Sequence, residues 1–239
     1  MLWMKNWFET RLRLLLAFTV LAFLLVVAYQ QFRFAQRAPT PLPAETRLQG
    51  LLFMIGVYFI MEAIIFAAAG IKTQAPFRRV KGTHSSTHFT LSLPVSRLRL
   101  LAMRMTTGLL ALLAIVIAGL VGLAILLPIA FPELRFPVSD FIRYGLAVFA
   151  CLLGFFSIST LLSAFLDDIW QAWGSMLLSA LLAALASFTL PDQLNPYRVL
   201  AGTSPLVTHT TPWGAMAISI VVAAVLITIT AKVVQSRDF

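Results

Sequence analysis

The sequence predicts an all-α integral membrane protein of six transmembrane helices with both termini in the cytoplasm. Of its 239 residues, 60% are hydrophobic and 11% are charged, and the mean hydropathy is +0.91. A soluble domain is about half apolar and a quarter charged. Six apolar runs are each long enough for the roughly 20 residues that cross a bilayer, and the Lys and Arg residues between them are unevenly distributed.

The net charge of +9 does not indicate a nucleic-acid-binding protein. The basic residues cluster beside apolar runs, where membrane topology and anionic lipid headgroups favour Lys and Arg. The sequence has no basic domain separate from the predicted membrane segments. We therefore expect membrane lipids, and no nucleic acid, as partners of these charges. The single cysteine, Cys151, lies within an apolar run and predicts no disulfide.

The first 13 residues predict a short interfacial helix. Trp3, Trp7 and Phe8 recur at helical spacing, and basic residues lie between and after them. Aromatic side chains on one face and cations on the other are typical of a helix in the membrane surface. The alternative is a ragged terminus with a few anchoring aromatic residues.

Six apolar runs follow, and proline-rich connections separate most of them. The fourth connection is only Asp167-Asp168, which predicts a tight hairpin. The predicted transmembrane helices cover residues 14–32, 51–71, 100–127, 141–166, 170–190 and 213–231. With the N-terminus inside, the cytoplasmic segments carry twice as many Lys and Arg residues as the outer ones, which sets the predicted orientation.

The connection at residues 72–99 is the long polar segment of the chain, and we call it the basic connection. It contains several cations and no acid. Residues 83–93 combine small polar residues with a few apolar ones, which predicts a short helix that inserts into a groove on a partner. Pro94 would end this helix, and Ser96 would cap the next one. The alternative is a solvated linker beside the membrane.

No catalytic motif is present in the sequence. The Gly70–Thr73 stretch lacks the spacing of a Walker A loop, whose glycine-rich backbone cradles phosphates. The sequence has no HExxH, no paired cysteines and no G-x-S-x-G. His84 and His88 are four residues apart, but two ligands without a third make a weak metal site. We therefore predict no catalytic residue, no cofactor site and no metal site in this chain.

Three acids remain as candidates. Glu62 lies deep in the second predicted span, where a carboxylate costs a few kcal/mol. It either lines a substrate path or makes a polar contact between helices, and the sequence favours neither. Asp168 is placed to cap the fifth helix. The alternative is that Asp167 and Asp168 form a docking point for a cytosolic partner.

The octapeptide Thr90-Leu91-Ser92-Leu93-Pro94-Val95-Ser96-Arg97, before a long apolar helix, resembles the "LLSLPVSR" segment of ABC-2 type transporter permeases. The preceding basic run and the closing Arg237-Asp238-Phe239 are also similar to that family. The resemblance covers essentially the whole chain. It includes the N-terminal interfacial helix, the six predicted spans and the predicted cytoplasmic location of both termini.

The resemblance implies a permease subunit in a bacterial cytoplasmic (inner) membrane. It would pair with a second permease and two separate ATPase subunits, which bind the ATP and Mg. Residues 83–93 would be the coupling helix seated on an ATPase, and residues 191–212 would be an outer hairpin that partly re-enters the membrane. Helices one and five would meet the second permease. Helix five has small residues that permit close packing there, namely Ser179, Ala180, Ala183 and Ala184. The predicted ATPase contacts of the coupling helix are Thr83, His84, Thr87, His88, Phe89, Leu91 and Leu93.

The predicted activity is ATP-driven export of an amphipathic substrate such as a lipid, drug or peptide. The apolar bundle and the short outer loops favour this class of substrate over a captured hydrophilic solute. One alternative is a membrane subunit that transmits ATPase motion to another envelope protein without transport. A stand-alone membrane enzyme or channel would need clustered ionisable residues within the spans, and only Glu62 is clearly there.

Overall fold

The computed structural model describes residues 2–35, 43–67, 79–80, 83–84, 96–166, 168–201 and 205–236. These residues form six helices long and apolar enough to cross a membrane, which confirms the predicted number. The long helices are α1 (Leu2–Ala35), α2 (Ala44–Ala67), α3 (Arg97–Ala130), α4 (Val138–Ser163), α5 (Asp168–Thr189) and α8 (Trp213–Ser236). A 3-10 helix (Asp192–Leu194) and two short helices, α6 (Pro196–Ala201) and α7 (Pro205–Thr208), lie between α5 and α8.

Helix α1 is continuous, so the separate interfacial helix predicted for residues 1–13 is not seen. Its residues, from Leu2 onward, are helical but run without a break into the first span. The reason is local, because the sequence has neither proline nor glycine before Pro39. At 1.5 Å per residue the helix is about 50 Å long, more than a hydrocarbon core needs.

Helix α3 begins where the sequence predicts. The Ser96 hydroxyl accepts a hydrogen bond from the Arg99 amide at 3.4 Å, which caps the first turn. Upstream, β1 (Arg79–Val80) and β2 (Thr83–His84) form a two-residue antiparallel pair. Thr83 and His84 are therefore extended, whereas the sequence predicted that they begin a helix. The rest of that predicted helix, residues 85–93, lies outside the described residues.

Helix α4 is the centre of the bundle. It packs against α2, α3, α5, α8 and both short helices, while α1 packs chiefly against α3. In its most apolar stretch 67% of the residues are buried, against 11% in α5. The exposed side chains of α5 and α8 are largely apolar, for example Leu177 and Val221. Such surfaces are expected where lipid or another membrane helix covers the protein.

The bundle has two ends that we name by their connections. At the terminal end, Leu101 of α3, Ala164 after α4 and Val234 of α8 form one small apolar cluster. At the loop end, the ring of Phe32 in α1 meets Phe131, which follows α3, with ring centroids 4.7 Å apart. Exposed aromatic residues mark both ends, as at membrane interfaces: Trp7, Trp170 and Trp173 at the terminal end, and Phe188 and Trp213 at the loop end.

Residues 191–201 and 205–212 fold back against the bundle, and we call them the re-entrant segment. The Leu200 backbone lies directly against Gly56, which is at the middle of α2. The Tyr197 ring packs edge-on against Phe155 of α4, with centroids 4.9 Å apart. Asn195 and Val199 are fully buried. The sequence analysis expected a hairpin that turns inward here, and the side of the membrane on which it lies stays a prediction.

This contact predicts opposite effects of alanine at two glycines of α2. A Cβ at Gly56 would collide with the backbone of Leu200, whereas a Cβ at Gly50 would meet no atom within 4 Å. We expect Gly56→Ala to lower the stability by about 1–3 kcal/mol through overpacking. Gly50→Ala should raise it by up to about 1 kcal/mol, because alanine is the better helix former. Thermal unfolding of the purified chain in detergent measures both, and equal effects would contradict the packing described.

Candidate functional site

A largely apolar cavity of about 600 Å³ lies between α2, α4, α5 and the re-entrant segment. Its volume is typical of small-molecule binding sites. Helix α2 contributes Gly56 and Ile60, and α5 contributes Met176 and Ala183. The remaining wall includes Phe155, Tyr197, Arg198 and Leu200.

The cavity exists because, apart from Met176, the residues that face it on α5 are small. Ser179, Ala180 and Ala183, together with Ser187, lie along its wall. The sequence analysis assigned the first three of these to close packing against a second permease. In the single chain they instead leave space beside α2. Contact of α5 with another copy stays a prediction.

Polar groups are few and lie in two places. On the α5 wall, Ser179 is 4% exposed and its hydroxyl has no hydrogen-bond partner in the described ranges. At the re-entrant segment, Arg198 is about half exposed and pairs with Asp192 at 3.4 Å. A molecule with an apolar body, one hydrogen-bonding group and a polar or anionic head matches this arrangement.

The Ser179 hydroxyl ends a buried polar row on α5 that also contains Gln171 and Ser175. Their four-residue spacing places the three side chains on one face of the helix. The Gln171 amide donates to the carbonyl of Ser159 at 3.3 Å and to its hydroxyl, and that hydroxyl donates to the Ile64 carbonyl at 3.1 Å. The Gln171 carbonyl and the Ser175 hydroxyl have no partner among the described residues. The row continues from the cavity towards the terminal end.

Glu62 does not line this cavity. It is buried on the opposite face of α2, beside Tyr58. The Tyr58 hydroxyl donates to the Ala17 carbonyl of α1 at 2.7 Å and lies beside the Glu62 side chain, one helical turn away on α2. This geometry favours a contact between helices, and a transport role for Glu62 stays a prediction.

Polar contacts connect the end of the re-entrant segment to α4, and they involve Asp140, Arg143 and His209. The His209 Nδ1 lies 2.6 Å from the buried Asp140 carboxylate. The Arg143 guanidinium donates to the same carboxylate at 3.5 Å and to the His209 carbonyl at 3.1 Å. His209 has a φ of 56°, which costs a non-glycine residue about 1 kcal/mol or more. We call these three residues the Asp140 cluster.

The predicted ATPase contacts fall partly on described residues and mostly outside them. Thr83 and His84 lie in β2, and Asp168 is the first residue of α5, although the side chains of these three are outside the described part of the structure. The predicted contacts Thr87, His88, Phe89, Leu91, Leu93 and Asp167 all lie outside the described residues. Within the described ranges, no group of three or more His, Cys, Asp or Glu side chains could hold a metal ion.

The sequence analysis missed both Arg198 and the Asp140 cluster. Asp140 and His209 are 69 residues apart, so no local spacing relates them. A signal for the cavity was present in the small residues of α5, but it was interpreted as close packing. Comparison with family models, with curated proteins and with solved structures returned no match. A functional assignment therefore depends on the geometry and on the sequence motifs.

The burial of Glu62 between helices predicts which substitutions the chain tolerates. Glutamine keeps the size and a polar end group beside the Tyr58 hydroxyl, so Glu62→Gln should remain within about 0.5 kcal/mol of the parent stability. Glu62→Ala removes the polar group and leaves a space, so it should cost about 1 kcal/mol more. Thermal unfolding in detergent at pH 7 compares the two variants. If glutamine destabilises the chain as much as alanine does, the assignment of Glu62 to a contact between helices is wrong.

Proposed function

We propose that this chain is the membrane-spanning permease subunit of an ATP-driven ABC exporter that moves an amphipathic substrate outward. The observation that carries the proposal is the 600 Å³ cavity between α2, α4, α5 and the re-entrant segment. The resemblance of residues 90–97 to ABC-2 permeases supplies the family hypothesis. The location proposed is the bacterial cytoplasmic membrane.

The lining of the cavity supports an amphipathic substrate. The apolar walls match an acyl chain or another apolar body, which they would hold by close van der Waals packing. Ser179 offers one hydrogen bond deep in the site, and Arg198 offers a cation near the re-entrant segment. A small hydrophilic solute would leave most of the wall without a partner. Lipids, drugs and amphipathic peptides fit this pattern.

The re-entrant segment is the proposed outer gate. It contributes Tyr197, Arg198 and Leu200 to the cavity wall, so its displacement would open the cavity at the loop end. The Asp140 cluster holds the far end of the segment on α4. A gate of this kind would move Leu200 away from Gly56 while the cluster acts as the hinge.

ATP hydrolysis is assigned to separate subunits. The sequence lacks a Walker A loop, and the basic connection joins α2 to α3 at the terminal end. In the proposal that end faces the cytoplasm and residues 83–93 contact an ATPase, with Asp167 and Asp168 as a second contact. Two such ATPases and a second permease complete the transporter. The proposed orientation follows the excess of Lys and Arg in these segments.

The subunit assignment predicts a specific loss of ATPase binding. The tagged chain, solubilised from its native membrane, should co-purify a soluble ATPase. Phe89→Asp combined with Leu91→Asp should abolish this, because carboxylates would have to enter an apolar groove. Gln74→Asp is the matched control, since it adds an acid to the same connection outside the proposed contact. The proposal fails if no ATPase accompanies the parent chain.

A further inference from the structure

A second and smaller cavity lies between α1 and α2 at the loop end. Its volume is about 280 Å³, and Ala28, Phe32, Leu51 and Met54 form apolar walls. Gly50 also lines it, and a Cβ there would meet no atom within 4 Å, so the position leaves room for a larger side chain. We call this cavity the Arg47 crevice. It shares no lining residue with the larger cavity.

Arg47 lines the crevice with its hydrogen-bonding capacity mostly unused. Its side chain is 11% exposed, and its Nη2 donates to Glu133 at 3.2 Å. The guanidinium carbon lies 5.6 Å from the centre of the Phe131 ring, which holds the cation in place. Its Nε and Nη1 are buried and have no hydrogen-bond partner within the part of the chain that the structure describes.

This arrangement favours an oxyanion as ligand. A guanidinium carries five N–H donors, and buried donors without acceptors are costly. Phosphate and carboxylate oxygens accept charge-assisted hydrogen bonds from arginine. The Gln31 amide also lies at the crevice and can contribute a further donor. Glu133 is 45% exposed and satisfies only one of the three nitrogens.

The rest of the crevice favours a ligand that also has an apolar chain. A free anion would contact Arg47 but leave Leu51 and Met54 uncovered. Arg47 is the fourth residue of the α2 span, which is the depth at which lipid headgroups meet apolar chains. We propose that the Arg47 crevice binds one anionic lipid, with its headgroup oxyanion on the Arg47 guanidinium and an acyl chain along Leu51 and Met54. The site does not depend on the transport proposal.

Native mass spectrometry of the full chain in a neutral detergent tests the proposal. The chain is titrated with phosphatidylglycerol, with phosphatidylcholine of the same acyl chains, and with inorganic phosphate. We expect one tight phosphatidylglycerol adduct, with Arg47→Met weakening it by about tenfold or more. Arg33→Met is the control, because Arg33 is an exposed cation near the same end of α1 that lies over Tyr29 and lines no part of the crevice.

Two further variants separate the crevice from a general charge effect. Gly50→Leu fills the crevice and keeps Arg47, so it should also remove the tight phosphatidylglycerol adduct. Far-UV circular dichroism of this variant checks that its helices are retained. Glu133→Gln removes the competing carboxylate and should strengthen the adduct. Equal binding of both lipids, or a phosphatidylglycerol adduct that survives Arg47→Met and Gly50→Leu, overturns the site. Inorganic phosphate that binds as tightly as the lipid overturns the acyl-chain part of the proposal.

Discussion

The contact of Leu200 with Gly56 is the constraint on which the candidate site depends. Only a residue without a side chain lets the re-entrant backbone reach the middle of α2. The contact seats Tyr197 on Phe155 and places Arg198 on the wall of the larger cavity. Without it, the space between α2 and α5 would be an open groove on the surface of the bundle.

Buried polar atoms without a hydrogen-bond partner among the described residues occur both at the two cavities and in the packed core. A buried hydroxyl or guanidinium nitrogen without an acceptor costs about 1–3 kcal/mol, and the surrounding helices are strongly apolar. Such atoms occur on Ser179 at the larger cavity, on Arg47 at the crevice and on Tyr144 in the core. Ser179 and Arg47 differ from Tyr144 because each also lines a cavity. Glu62, the most conspicuous acid in the sequence, is buried between helices and lines neither cavity. An unpaired group therefore indicates a ligand site here only where it also faces an open space.

The sequence predicted the elements that depend on local physics. Hydropathy predicted the six spans, and Ser96 predicted the start of α3. Both depend on the local sequence: a span on a continuous apolar run, and a helix start on a capping side chain. The role of Ser179 and Ala183 could not be predicted, because small residues produce either close packing or a cavity according to what faces them. The pairing of Asp140 with His209 depends on the path of the re-entrant segment, which no local pattern encodes.

The most direct test of the account is movement of a labelled amphiphile by the assembled transporter. The purified complex, with its co-purified ATPase, would be placed in liposomes that contain a fluorescent phospholipid, and ATP-dependent transfer between leaflets would be followed by quenching. The account predicts that Ala183→Phe, which fills the larger cavity, slows transfer about tenfold or more while the ATPase stays bound. Leu185→Phe, at an exposed position outside the cavity, should not slow it. ATP hydrolysis without transfer of any amphiphile, or full transfer by Ala183→Phe, would contradict it.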